Sequence, residues 1–189
     1  MRVALLCLAL VACGTSENSA PSSSAPAKQP PAARGSQPNT SELQAPADLC
    51  DAYDRAGVAT AFGWKGMQKT SATGMKHGEK RERHCGYRSL DEGAKDATFG
   101  VTFSTELAFE KRHLGFDITY AKREPIDGNE AWSGHTKDVV ALQVVAKGIR
   151  LSTDLSNAGT PEEAEPKLAL ATQKIVASLP PDAVSMMHK

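Results

Sequence analysis

The chain has 189 residues, and its 22 basic and 22 acidic side chains balance to a formal net charge of zero. No basic stripe with interleaved aromatics is present, so nucleic acid is not an expected partner. After the N-terminus no run approaches the ~20 apolar residues of a membrane-spanning helix. Prolines crowd the stretch before Asp48 and aliphatic residues the stretch after Leu49, which leaves about 140 residues for one domain with one core.

Met1-Arg2 followed by the apolar run Val3 to Ala12 has the charge and length of a secretory signal peptide, predicted over residues 1–12. It ends Leu10-Val11-Ala12-Cys13-Gly14, which resembles a bacterial lipobox. In such a signal the chain is cut before the cysteine, and its thiol receives a diacylglyceryl group. Cys13 is therefore the expected lipidation site; an ordinary signal cleaved without lipid is the alternative. Residues 13–47, rich in Ser, Pro and Ala, have too little apolar surface to offset the entropy of ordering. They read as a tether of ~30 Å r.m.s. reach. The expected location is the cell envelope, anchored to the outer or the cell membrane and facing the extracytoplasmic side.

Residues 48–181 read as the globular part. Asp48 is a candidate N-cap and Gly63 a stop for one helix in which Leu49, Tyr53, Ala56 and Ala59 recur. Lys65 to Arg83 is polar and reads as a charged loop. "HCGYRS" then puts Cys85 and Tyr87 on one face of a strand, and "TFGVTFS" puts Phe99, Val101 and Phe103 on one face of another. Leu107, Lys111 and Leu114 fit a short surface helix before a strand at Phe116 to Tyr120. Val139 to Ala146 is apolar on both faces apart from Gln143, as expected of a covered central strand. Lys147-Gly148 turns it into a partner whose Arg150, Ser152 and Asp154 form one wet face. Thr160-Pro161-Glu162-Glu163 resembles a capping box, followed by an apolar stripe from Ala164 to Leu179. Pro166 argues for a regular helix beginning nearer Glu165. Residues 182–189 read as a flexible tail. The sum is an α+β fold, an antiparallel sheet packed against an N-terminal and a C-terminal helix.

Chemistry-bearing patterns are sparse. His77, Glu79, His84 and Cys85 are ligand types, but their spacing matches no metal motif, and Lys76, Lys80, Arg81 and Arg83 crowd the same segment. His113 and His135 stand alone. The sequence has no GxSxG, SxxK, HExxH, GxGxxG or Walker pattern, so no catalytic residue, cofactor or metal is predicted. "IDGNEAW" places Asp127, Asn129, Glu130 and Trp132 together. It reads as a turn with Trp132 anchoring it, or as a recognition surface.

The order of lipobox, tether, "DLCDAYDRAGVATAFG", "HCGYRS", "DGNEAW" and "KLALATQKIVASLP" resembles bacterial lipoproteins of unknown function, of the two-cysteine type common in actinobacteria. The resemblance covers about residues 48–180 and departs at Tyr87, where such proteins often carry tryptophan. It implies fold and location, and no reaction. Once Cys7 has left with the signal and Cys13 carries lipid, Cys50 and Cys85 remain; a disulfide is expected outside the cytoplasm. Two free thiols, or metal ligation with His84, are the alternatives. The functional expectation is a non-catalytic binding or envelope-associated module, for an envelope protein or a small ligand. The alternatives are a hydrolase with a dispersed site and a small-molecule or lipid carrier.

Overall fold

The structure is a computed structural model that describes residues 48–113 and 115–188. The predicted signal peptide, Cys13 and the tether lie outside the described residues.

Two aspartates shape the entry to the domain. Asp48 accepts from the Cys50 amide at 2.9 Å and caps a 3-10 turn, Leu49–Asp51. Asp54 accepts from the Gly57 amide at 2.8 Å and starts α1, Arg55–Phe62, which Gly63 closes at φ +77°. The single helix expected from Leu49 is thus two pieces, because each cap starts its own turn of helix.

The polar segment expected as a loop is instead the first half of a long hairpin, β1 (Met67–His77) with β2 (Lys80–Ser89). Gly78, at φ +61°, opens its two-residue turn. β1 is an edge strand exposed over most of its length, so neither face imposes the apolar alternation by which strands are recognised.

The remaining strands are β3 (Thr98–Ser104), β4 (Arg112–His113), β5 (Ile118–Thr119), β6 (Ala121–Ile126), β7 (Asn129–His135), β8 (Val139–Ala146) and β9 (Ile149–Ser156). Seven of the strands form one antiparallel sheet in the order β1-β2-β3-β9-β8-β7-β6, and β4 pairs with β5 alone. The fold is therefore α+β, as the sequence predicts, with α1 and the C-terminal α2 (Pro161–Ser178) beside the sheet. The capping box at Thr160 and Glu163 is formed. Regular helix begins at Pro161 rather than near Glu165: Pro166 forfeits only the bond to the exposed Glu162 carbonyl. Beyond it, where the sequence suggests a loose tail, Ala183–Met186 form a short α3 with Ala183 fully buried.

Two meanders, β1-β2-β3 and β6-β7-β8-β9, meet where β3 pairs with β9. After β3 the chain must therefore travel to the far edge before β6 can begin. At ~4.8 Å per strand this is a crossing of roughly 20 Å, and residues 105–113 and 115–120 belong to it. They run over the sheet face opposite the helices. That demand replaces the expected surface helix around Leu107 and Lys111 with a strap containing β4 and β5.

The helix-side face is the hydrophobic core. Phe99, Val101 and Phe103 of β3, Leu151 and Leu155 of β9, and Leu142 and Val144 of β8 pack there against Leu168, Ala171 and Ile175 of α2. Cys50 and Cys85 join the entry turn to β2 (S–S 1.99 Å, Cα–Cα 5.6 Å). Beside them the Tyr87 hydroxyl donates to the Cys50 carbonyl at 2.7 Å. Lys147, in the β8–β9 turn, donates to the Leu179 carbonyl at 2.6 Å and satisfies the end of α2.

Candidate functional site

The second face carries the polar side chains. Strand pairing aligns them in rows: Glu82, Ser104 and Arg150; then His84, Thr102, Ser152, Gln143 and Trp132; then Gly86, Gly100, Asp154, Ala141 and Gly134. The alternation that marks β9 as half wet is correct in period, but Arg150 is only 2% exposed, because the strap lies on it.

Two buried polar side chains hold the strap down. Arg150 donates to the Ala108 carbonyl and, at 2.7 Å, to the Glu110 carboxylate. Gln143 brackets the backbone of Glu110, accepting from its amide at 2.9 Å and donating to its carbonyl at 3.1 Å. Lys80 adds a rim clamp between Glu82 (3.0 Å) and Glu106 (2.8 Å). Further along, Ile118 is buried on Gly134, where a Cβ would collide with the Thr119 carbonyl. The strap is fixed to β7, β8 and β9, with Lys80 of β2 at its rim.

Asp154 of β9 lies on this face. Its carboxylate rests on Gly100: a Cβ there would sit 2.9 Å from Asp154 Cγ and Oδ2. Glycine inside a central strand costs stability, and here it makes room for the carboxylate. Among the described residues no group donates a hydrogen bond to Asp154. Burial pushes its carboxyl above the usual carboxylate range, while His113 on the strap and His84 on β2 pull it the other way. His84 Nδ1 lies 3.1 Å from Thr102 Oγ1. The Tyr120 hydroxyl, at the end of the strap, is buried without a hydrogen bond; the nearby Gln143 amide is spent on Glu110. Burial pushes the phenol up, against a smaller opposite pull from the neighbouring Gln143 side chain, with Glu110 and Asp154 adding to the rise. The His113 ring packs at a tilt on Phe116, with centroids 4.8 Å apart.

The residues singled out by sequence are distributed differently. Asp127 (φ +49°) and Gly128 (φ +75°) are the two turn residues between β6 and β7. Asn129 Nδ2 donates to the Ile126 and Asp127 carbonyls at 3.2 and 2.9 Å, so Asp127 and Asn129 serve the turn itself. Glu130 and Trp132 share the second face: Trp132 Nε1 donates to Glu130 at 3.2 Å, and the indole stacks on Phe109 of the strap at 5.5 Å. Lys122, 3.1 Å from Glu130, holds that carboxyl below its ordinary range, and the Trp132 bond adds to this. The four residues are therefore split between a turn and the strap's outer support. Among the described residues no three His, Cys, Asp or Glu side chains are grouped to hold a metal ion. Asp154, His84, Thr102 and Tyr120 were not singled out together by sequence. The one local signal was Gly100 inside a clean period-two strand.

No known protein family, curated protein or solved structure matches this chain.

Proposed function

We propose that the protein is a non-catalytic binding domain of the bacterial cell envelope, a lipoprotein of the two-cysteine type, tethered on the extracytoplasmic side through lipidated Cys13. Its partner is an envelope protein or a small ligand, engaged through the sheet face beside the strap. The observation that supports this most is the half-buried Asp154 carboxylate, which has no donor among the described residues and is given its space by Gly100. Such a group costs folding energy, and natural folds retain local costs of this kind mainly where they bind or react. The lipobox and the Ser/Pro-rich tether support the location. In-cell photocrosslinking from position 116, exposed on the strap, tests the reading: one discrete partner is expected, lost in Asp154→Ala. Reproducible substrate turnover would overturn it. Cys13→Ala is expected to block lipidation and move the protein out of the detergent phase; unchanged mass and partitioning would refute the anchor.

A hydrolase is the second reading, favoured by one observation. His84 Nδ1 stands 3.1 Å from the Thr102 hydroxyl, a base–hydroxyl pair of the kind used in nucleophilic catalysis. Turnover abolished by both Thr102→Val and His84→Gln would establish it.

A further inference from the structure

We propose that the protein pairs with a second copy of itself through β1, the two edge strands running antiparallel about a two-fold axis at Gly74 and joining their sheets into one. This pairing is separate from the sheet face beside the strap.

β1 ends the sheet, and its backbone faces outward at every second residue. The Arg81 amide donates to Thr105 Oγ1 at 2.9 Å, and the Arg81 carbonyl accepts from the Thr105 amide at 3.0 Å. Both groups thus turn away from β1. Lys76, opposite Arg81 across the hairpin, therefore turns its own amide and carbonyl outward, and strand alternation extends this to Gly74 and Ala72. Among the described residues these amides and carbonyls have no backbone partner, because β1 pairs with β2 alone. The opposite edge is blunted. Pro125 of β6 has no N–H to offer, and the pairing of β6 with β7 shifts register between Arg123 and Ile126. On β1 the one register shift lies between Lys69 and Ser71, and the Lys69 ammonium is held by Asp51 at 2.8 Å. From Ala72 to His77 the strand is exposed and contains no proline.

The occupant follows from what each register sets opposite. An antiparallel copy centred on Gly74 places Gly74 against Gly74, Ala72 against Lys76, Thr73 against Met75 and Ser71 against His77. Every outward residue of both strands then enters a hydrogen-bonded pair that exchanges both N–H···O bonds, and no two lysines meet. Centring on Lys76 would oppose two lysines. Centring on Ala72 or Thr73 runs into the bulge, and centring on Met75 leaves Ala72 facing the Gly78 turn. The strand is therefore complementary to itself in one register. Growth stops at two copies, since the edges left over are both β6 with its proline. Main-chain bonds and small side chains make a modest interface, so the dissociation constant is expected between roughly 10 μM and 1 mM.

The test uses the full chain carrying Cys13→Ser. Sedimentation equilibrium should show monomer and dimer exchanging in that concentration range. Amide hydrogen exchange above and below it should show the Ala72, Gly74 and Lys76 amides gaining protection in the dimer, while Thr73 and Met75, already bonded to β2, stay as they are. Ala72→Lys places a lysine opposite Lys76 of the copy and should weaken the dimer severalfold; Ala72→Glu should tighten it severalfold, less so in high salt. Lys76→Pro removes an outward donor and no bond within the chain, and should weaken pairing at least tenfold, so the outcome does not depend on one variant folding. A chain that stays monomeric at about 2 mM overturns the inference. A dimer protected at other amides, or equally affected by Ala72→Lys and Ala72→Glu, overturns the assigned edge. Photocrosslinking in cells from position 73 should give an adduct of twice the chain's mass, and adducts with a different protein alone would overturn the second copy as occupant.

Discussion

The two faces of one sheet follow opposite rules. On the helix side β2, β3, β8 and β9 contribute aliphatic or aromatic side chains, and the layer is stabilised by area removed from water. On the other side the same strands present Arg150, Gln143, Ser152 and Asp154, covered by a strap fixed through hydrogen bonds. An apolar layer tolerates exchange among side chains of similar volume, whereas a polar layer depends on each partner being present. Disturbing the first face should therefore loosen the whole domain, and disturbing the second should release one segment.

The largest expected effect belongs to the bridge on the helix side. Cys50 and Cys85 close a loop of 35 residues, worth roughly 4 kcal/mol in a chain-entropy treatment. Reduction, or replacing both cysteines by alanine, should lower Tm by roughly 10–15 °C as one cooperative transition. A change below about 3 °C in a calorimetric scan would show that the face does not depend on the bridge.

Next comes Arg150→Ala. Removing one member of a buried pair costs about 3 kcal/mol. Hydrogen exchange should show protection lost first over residues 106–113, while β8 and β9 amides stay slow. Equal loss across the sheet would erase the distinction between the faces.

Gly100→Ala sharpens it further. The new methyl meets the Asp154 carboxylate and should cost about 1–2 kcal/mol. In an Asp154→Ala background the same change should be neutral or slightly stabilising, because the chain entropy lost on folding falls. A double-mutant cycle by urea titration reads this coupling directly. Additive effects would mean that carboxylate and glycine are unrelated.

The smallest effect is that of Asp154→Asn, and its sign is opposite. The raised carboxyl means that the folded protein holds this proton more tightly than the unfolded chain does. Ionisation of the group therefore opposes folding above its folded value, and this cost vanishes as the pH falls below the ordinary ~3.9. The variant should be the more stable at pH 7, with the gap closing as the pH falls below the ordinary carboxylate range. A variant less stable at neutral pH would show that Asp154 is well satisfied in the fold.

Most of the first face was legible in the sequence. Phe99, Val101 and Phe103 alternate, Val139 to Ala146 reads as covered on both sides, and the Thr160 capping box marks the start of α2. Each signal is local. The second face was legible only as polar, since a period of two says which side chains share a face and nothing about what lies over it. The strap's path follows from strand order, a long-range property of the chain. β1 was missed because an edge strand in water has no apolar side to display. Asp127-Gly128 carried a hairpin signal in its dipeptide, which explains why the turn was readable while the separation of Asp127 and Asn129 from Trp132 was not. Asp154 looked like one more polar residue of a wet strand, and only the glycine opposite it hinted otherwise.

The entry of the chain also sets how the domain bears load. Asp48 is paired to Arg83 on β2, and two residues further on Cys50 is bonded to Cys85 on the same strand. Tension applied at the N-terminal side of Asp48 would therefore pass through one ion pair and one covalent bond into the second strand of the sheet, and bypass α1. Under oxidising conditions the helix is shielded from peeling, and the force required to open the domain is set by the strand ladder. Once the bond is reduced, the same pull reaches Asp54 and α1 first, so a reductant would turn a mechanically stiff attachment into a compliant one.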